Sequence, residues 1–280
     1  MSYLLRDMVP GFSINARADG LGDGPTIFSI GEKLLISGEG LPRWSEVEEL
    51  ARDVSGGTEL RTLGVFDGAP IRLVVADALA SVPSPMRLER PRNLMFLFAG
   101  SQTELTIALV GQQYAHFLRT HRFCGVCGVR TTPKPGEHAQ HCVSCDRDIY
   151  PHVAPCMITL VHDGPRILLS RAPRFPKGMY GLSAGFLEPG ETLEQCVHRE
   201  VREETALEVK NLRYRGSQPW PMPSQLMVGF FAEYEGGTLV PDPVELEEAA
   251  WFHVDELPML PPPISIARHL IDSYVLELGA

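Results

Sequence analysis

The 280-residue sequence has no uninterrupted apolar run approaching the roughly 18 residues that a membrane helix requires. The longest such runs are Leu94 to Gly100 and Ala154 to Val161, so a helix that spans a bilayer is excluded and no membrane partner is expected. The stretch Met1 to Phe12 lacks the apolar centre of a secretory leader, because Asp7 and Pro10 interrupt it, and a cytoplasmic location is the expectation. Positive charge is also scarce. Lys plus Arg is 25 against 35 for Asp plus Glu, a net of −10, which opposes the attraction used by proteins that track phosphates and argues against duplex DNA as a ligand. Internal repeats and low-complexity tracts are absent. A chain of this length is not a small disulfide scaffold, and at about 150 residues per domain it makes about two domains. What remains is 44% hydrophobic and 21% charged, the composition of a globular protein with a sizeable core.

Apolar runs at Thr26 to Ile30, Lys33 to Ile36, Leu60 to Phe66 and Ile71 to Val75 make the first part of the chain strand-rich, the last two flanking Asp67-Gly68 as a hairpin turn. From Ser101 the period changes. Ser101 and Glu104 read as a capping box, and Leu105, Ala108, Leu109, Ala115 and Leu118 recur at helical spacing towards Arg122. After Pro155 two apolar runs surround His162-Asp163-Gly164, a glycine-punctuated loop leads to a charged helix, and strands return at Arg213 to Gly216 and Leu226 to Tyr234. A final amphipathic helix starts near Ser265, after the stiff Pro261-Pro262-Pro263 connector.

Cys124-Gly-Val-Cys127 and Cys142-Val-Ser-Cys145 form two CxxC turns. Two such turns close a tetrahedron of thiolates around Zn2+, and four thiolates leave no open position, so the site is structural. Iron fits the same ligand set. A pair of disulfides is disfavoured by a reducing compartment, and thioredoxin-type chemistry needs one CxxC at a helix start, not two. Cys156 and Cys196 are left over as buried, unreactive thiols.

Thr192 and Gln195 form a second capping box that opens a helix, and on it Glu200, Glu203 and Glu204 stand at i, i+3 and i+4 on one face. Like charges at that spacing destabilise a helix by roughly 0.2–0.5 kcal/mol per pair. A hard divalent cation such as Mg2+ or Mn2+ removes the conflict and can bridge carboxylates to phosphates. A solvated acidic face paired with Arg199 and Arg202 accounts for three glutamates equally well.

The residues before and along this helix resemble the Nudix hydrolase signature. Gly185, Glu191, Arg199, Glu200, Val201, Glu203, Glu204 and Leu207 match it, and Ala206 stands where the family usually has glycine. An alanine held at positive φ there costs roughly 1–2 kcal/mol, or else the helix runs on by one residue. Downstream, Ser217-Gln218-Pro219-Trp220-Pro221-Met222-Pro223-Ser224-Gln225 is similar to the array of the NADH pyrophosphatase subfamily, with Met222 in place of phenylalanine and Gln225 at the closing serine position. That subfamily also carries a four-cysteine ribbon ahead of its Nudix domain. The resemblance therefore implies an α+β chain, in which a Nudix α/β/α sandwich with a mixed sheet follows a zinc ribbon and a strand-rich N-terminal domain. The expected bounds are 1–121, 122–150 and 151–280.

The resemblance also implies an activity: metal-dependent cleavage of NADH or NAD+ to NMN(H) and AMP, and in some members removal of NAD caps from RNA 5′ ends. It makes Glu200, Glu204 and Glu245, with the carbonyl of Ala184, ligands of catalytic Mg2+ or Mn2+. Glu203 orients or deprotonates the water, and Arg199, Glu191 and Gly185 brace the loop. Phe186 and Tyr150 become an aromatic clamp for the nicotinamide, with Glu137, the segment Gln218, Pro219, Trp220, Pro221, Met222, Pro223, Ser224 and Gln225, and the backbone of Ala267 completing the dinucleotide pocket. A homodimer is implied as well. Two other functions compete. One is a Nudix hydrolase acting on other nucleoside diphosphates such as ADP-ribose; the other is a non-catalytic zinc-ribbon RNA adaptor, against which the intact glutamates and the acidic charge balance both argue.

Overall fold

The runs Thr26 to Ile30 and Ile71 to Val75 pair parallel at the centre of the first sheet, where strands need cover on both faces. In the computed structural model, which describes residues 9–15, 22–54, 59–98 and 100–279, the chain forms two compact units. One holds the described residues up to Val153 together with Trp220–Ser224; the other holds 154–219 and 225–279. Met1 to Met8, where most of the leader reading rests, and Ala99 of the run Leu94 to Gly100 lie outside the described residues. No described helix is long and apolar enough to cross a membrane.

The first unit runs β1 (Phe12–Ile14), β2 (Thr26–Ile30), β3 (Lys33–Ile36), α1 (Trp44–Asp53), β4 (Glu59–Phe66), β5 (Ala69–Ala76), β6 (Arg87–Glu89), α2 (Pro91–Leu97) and α3 (Gln102–Thr120), then the short strands β7 (Thr132–Pro133), β8 (Gln140–Cys142) and β9 (Arg147–Ile149). The large sheet has the order β1-β4-β5-β2-β3-β6, and β2 pairs parallel with β5, from Thr26 opposite Arg72 to Ile30 opposite Ala76. All five residues of β2 are buried. Three helices accompany this strand-rich sheet, of which α3 is the one expected from Ser101. α1 was not legible because its N-cap is Arg43, whose side chain gives no capping signal; the cap is made instead by the Arg43 N–H donating to Glu46, 2.6 Å. At α3 the Ser101 hydroxyl accepts from the Glu104 N–H at 3.3 Å. The reciprocal half of that box is not formed, because the Glu104 carboxylate turns to Gly40 and the Leu41 N–H. The helix stops at Thr120.

The second unit runs β10 (Ala154–Asp163), β11 (Arg166–Arg171), β12 (Ser183–Phe186), α4 (Leu193–Thr205), β13 (Leu207–Trp220), β14 (Gln225–Gly237), β15 (Glu248–His253) and α5 (Ile266–Leu278). Its sheet has the order β13-β14-β10-β11-β15 with β12 added to β10. The sheet is mixed, because β10 and β14 pair parallel while β11, β12 and β15 pair antiparallel to their neighbours. Alternation along β10 and β14 places Met157, Val161, Val228, Phe230 and Ala232 on one face, where they pack with Cys196, Val197 and Val201 of α4. Phe231 and His162 fall on the other face, in ring contact with Tyr274 of α5 at 5.3 and 4.6 Å. This is an α/β/α sandwich. Part of the loop expected before the charged helix is strand β12, since Gly185 lowers strand propensity yet pairs in register with Met157.

The end of α4 resolves the alternatives at Ala206. It is the C-cap, at φ 58° and ψ 20°, and its N–H donates to Arg202. An alanine in the left-handed region is strained, whereas glycine adopts it freely. Ala206→Gly is therefore expected to raise unfolding free energy by roughly 1 kcal/mol with turnover unchanged. Denaturant unfolding checks the first and steady-state kinetics the second; a destabilised variant would contradict the strain assignment.

Candidate functional site

Gly185 determines where the first carboxylate lies. A Cβ on it would stand 1.8 Å from the Glu200 carboxyl carbon, so only a residue without a side chain lets that acid lie against β12. One turn further along α4, Glu204 is buried on the same face. Its Oε2 has no hydrogen-bond partner among the described residues. Burial pushes this carboxyl up to about 7, the Ser183 hydroxyl opposes the rise, and the charges of Glu200 and Glu245 add to it. Burial also raises Glu200, with Arg199 opposing and the charges of Glu203 and Glu245 adding. Glu245 reaches this end of α4 on the segment that follows β14. There the Val240 and Asp242 N–H groups donate to the carbonyls of Thr205 and Glu204 at 3.0 and 2.9 Å, and Leu246 closes a turn onto Asp242 at 2.9 Å.

Arg199 ties the loop to the helix. Its Nε and Nη2 donate to the two oxygens of Glu191 at 2.6 and 2.9 Å, Nη2 also reaches the Phe186 carbonyl at 2.9 Å, and Nη1 donates to Glu200 at 2.8 Å and Glu203 at 2.9 Å. Arg199, with help from the Glu188 N–H, holds the Glu191 carboxyl down at about 2. Phe186 thus has a fixed backbone and an exposed ring.

A buried carboxylate oxygen without a partner, among three more carboxylates, suits a hard divalent cation. The glutamate oxygens are spread more widely than the cysteine sulfurs. Among the described residues only Cys124, Cys127, Cys142 and Cys145 form a group whose ligand atoms all lie within 4.8 Å of one another. The Cys127–Cys142 and Cys124–Cys145 sulfurs are 3.5 and 4.0 Å apart; a tetrahedron with bonds of about 2.3 Å has edges of about 3.8 Å. The N–H groups of Cys127 and Val126 hold the Cys124 thiol down at about 6, while its sulfur neighbours push Cys145 up to about 12. Backbone dipoles alone do not ionise all four sulfurs, which is the task of a bound cation. All six cysteines are free thiols, Cys156 and Cys196 among them buried.

Within the first unit, Glu137 and Tyr150 come together. The Tyr150 hydroxyl donates to Glu137 at 2.6 Å, and Lys134 donates to Tyr150 at 3.1 Å and to Asp148 at 2.6 Å while pairing with Glu137 at 2.7 Å. Sequence reasoning missed this role of Lys134, whose partners lie up to 16 positions away. Ser224 donates to the His152 carbonyl at 2.7 Å, Trp220 is half-buried, Pro221 buried and Pro223 exposed. Met222 donates its N–H to the Trp220 carbonyl at 2.9 Å. In the second unit, Gln218 uses both ends of its amide on backbone, donating to Ile264 and accepting from Ile266, both at 2.8 Å. That holds the entry to α5 beside Ala267, which is buried. Pro219 and Gln225 are half-buried in β13 and β14. Ala184 lies in β12 opposite Ile158.

A family model of the NUDIX domain matches residues 151–273, and one of the NADH pyrophosphatase zinc ribbon domain matches residues 119–150. A protein described as NAD-capped RNA hydrolase NudC, from Pseudomonas syringae pv. syringae (strain B728a), is 46% identical over 215 residues, covering 77% of this chain and 76% of its own. One of the same description from Pseudomonas putida (strain W619) is 47% identical over 214 residues, covering 76% of each. A solved Nudix hydrolase from Nitrosomonas europaea aligns with 56% of this chain and 90% of its own, at 25% identity and a TM-score of 0.46. Both motifs singled out from the sequence, the paired CxxC turns and the glutamate helix, fall inside matched regions, and the chain belongs to the Nudix hydrolases that carry an NADH pyrophosphatase zinc ribbon.

Proposed function

We propose that this Nudix hydrolase cleaves the pyrophosphate of NADH or NAD+ to NMN(H) and AMP, and that an NAD cap on an RNA 5′ end is a second form of the same substrate. The names of its relatives support this reading. The observation that carries it is the buried Glu204 carboxylate beside Glu200, whose Oε2 has no hydrogen-bond partner among the described residues. Glu200, Glu204 and Glu245, with the Ala184 carbonyl, would hold Mg2+ or Mn2+, which when bound neutralises pyrophosphate oxygens and lowers the pKa of water. Glu203 keeps one oxygen on Arg199 and offers the other to the attacking water. Arg199, occupied by Glu191, Glu200 and Glu203, keeps the face aligned as charge moves. Four thiolates fit structural Zn2+.

Phe186 is proposed as the stacking partner of the nicotinamide, with Tyr150 and Glu137 as further contacts to the dinucleotide. Stacking on an aromatic ring is worth roughly 1–3 kcal/mol per base, so Phe186→Ala is expected to lower kcat/KM for NADH by about tenfold to a hundredfold. ADP-ribose has no nicotinamide and should be nearly indifferent. Steady-state assays with NADH, NAD+, ADP-ribose and NAD-capped RNA side by side test both claims; equal losses on NADH and ADP-ribose would remove the nicotinamide assignment. The reading includes a homodimer, and a fully active monomer in sedimentation at assay concentrations would overturn that part.

A further inference from the structure

The second unit is almost fully self-neutralised in its cations. Arg166, Arg171, Arg199, Arg202, Lys210, Arg213, Arg215 and Arg268 each have a carboxylate within salt-bridge distance. Arg174 and Lys177, both exposed on the loop between β11 and β12, are the exceptions among its described residues. Of these, Lys177 directs its field at Glu248, whereas the Arg174 guanidinium rests over the Phe175 ring, 5.3 Å from its centroid.

That loop is anchored. Ser170 and Gly181 exchange backbone hydrogen bonds at 3.0 and 2.8 Å across its base, and the Phe175 N–H donates to Ala172 at 2.9 Å. A Cβ on Gly181 would meet the Phe175 ring at 2.9 Å, as a Cβ on Gly185 would meet Glu200. Gly181, Ser183 and Gly185 alternate along one extended segment and so face the same side. Along that side stand the Phe175 ring that carries Arg174, then Glu204 at Ser183, then Glu200 at Gly185. Two residues of extended chain, about 7 Å, separate the Phe175 contact from Ser183. The buried Cys156 sulfur feels the charges of Glu200, Glu204 and Arg174 together. An unneutralised guanidinium beside a carboxylate cluster has no carboxylate of its own to bind, and its planar fork matches phosphate oxygens.

We propose that Arg174 binds the substrate's pyrophosphate, contacting non-bridging phosphate oxygens from the β11–β12 loop beside the carboxylate face. This rests on the pyrophosphohydrolase reading above and adds a residue to it. Arg174→Gln in the full chain should lower kcat/KM by about tenfold to a hundredfold for NADH and for ADP-ribose alike, because both carry the pyrophosphate. Arg174→Lys should recover part of the loss, and Arg166→Gln, a surface cation paired with Asp163, should change nothing. Calorimetric binding of ADP-ribose to Glu204→Gln chains, with and without Arg174→Gln, reads the contact without turnover; a several-fold weaker affinity is expected. Unchanged kinetics and affinity for Arg174→Gln, or a loss confined to NADH, would overturn the assignment. A wild-type chain that cleaves neither substrate would sink the function instead, and the binding comparison would still decide Arg174.

Discussion

Glu204→Gln is expected to keep the fold and to lower turnover by several orders of magnitude. The amide has the shape of the carboxylate but not the charge that holds a hard cation. The same substitution should have the opposite effect on the protein free of Mg2+ and Mn2+. Burial raises the folded-state Glu204 carboxyl to about 7 from an ordinary value of 4.5. Between those values the native chain binds more protons than the unfolded one, so stability falls as pH rises through that window and stays reduced above it. The charged, buried Glu204 then costs on the order of 3 kcal/mol, which glutamine does not incur. In protein free of Mg2+ and Mn2+ but retaining its zinc, Glu204→Gln should melt above wild type at pH 8, and the gap should close towards pH 4.5. Near wild-type kcat at saturating Mg2+ would show that Glu204 is not a metal ligand. A variant that melts lower than wild type at pH 8 without Mg2+ and Mn2+ would show that the acid is not held at a cost.

That conflict was legible from spacing alone, because i, i+3 and i+4 on a helix put side chains together whatever the rest of the chain does. The CxxC turns were legible for the same reason, each pair being closed by a single turn of backbone. Features built from distant or weak local signals were not. β12 carries Gly185, poor strand material whose value is the space it leaves for Glu200, and that space exists only once α4 packs against the strand. Lys134 gathers Glu137, Asp148 and Tyr150, a convergence made by the ribbon's fold and not by any period. At Ser101 the local signal was half right: the hydroxyl caps α3, while Glu104 found a better partner in the Leu41 N–H. Gln218 carries a subfamily motif, and its amide is engaged by the backbone at Ile264 and Ile266, a use that no motif announces.

Removing the zinc, by chelation or by Cys142→Ser, is the second change with a large expected effect. The ribbon's strands are two or three residues long, too short to persist on backbone pairing alone. Val126 and Val143, the apolar residues of its two turns, are 68% and 66% exposed, so little core replaces the metal. Structural zinc supplies roughly 10–16 kcal/mol of apparent binding energy in small zinc domains, and that energy is folding energy. The wild-type chain should bind one zinc, and the variant should lose it together with a melting transition lowered by about 10 °C or more. The kinetic signature separates this from general damage. On the proposed reading, in which Tyr150 and Glu137 contact the dinucleotide, KM should rise more than kcat falls, because Tyr150, Glu137 and Lys134 lose the strands that hold them in one network, whereas Glu200, Glu204 and Glu245 belong to the other unit. Full zinc loss with an unchanged melting temperature would remove the structural role, and a fall in kcat with KM intact would place the ribbon's contribution at the chemistry and not at the dinucleotide.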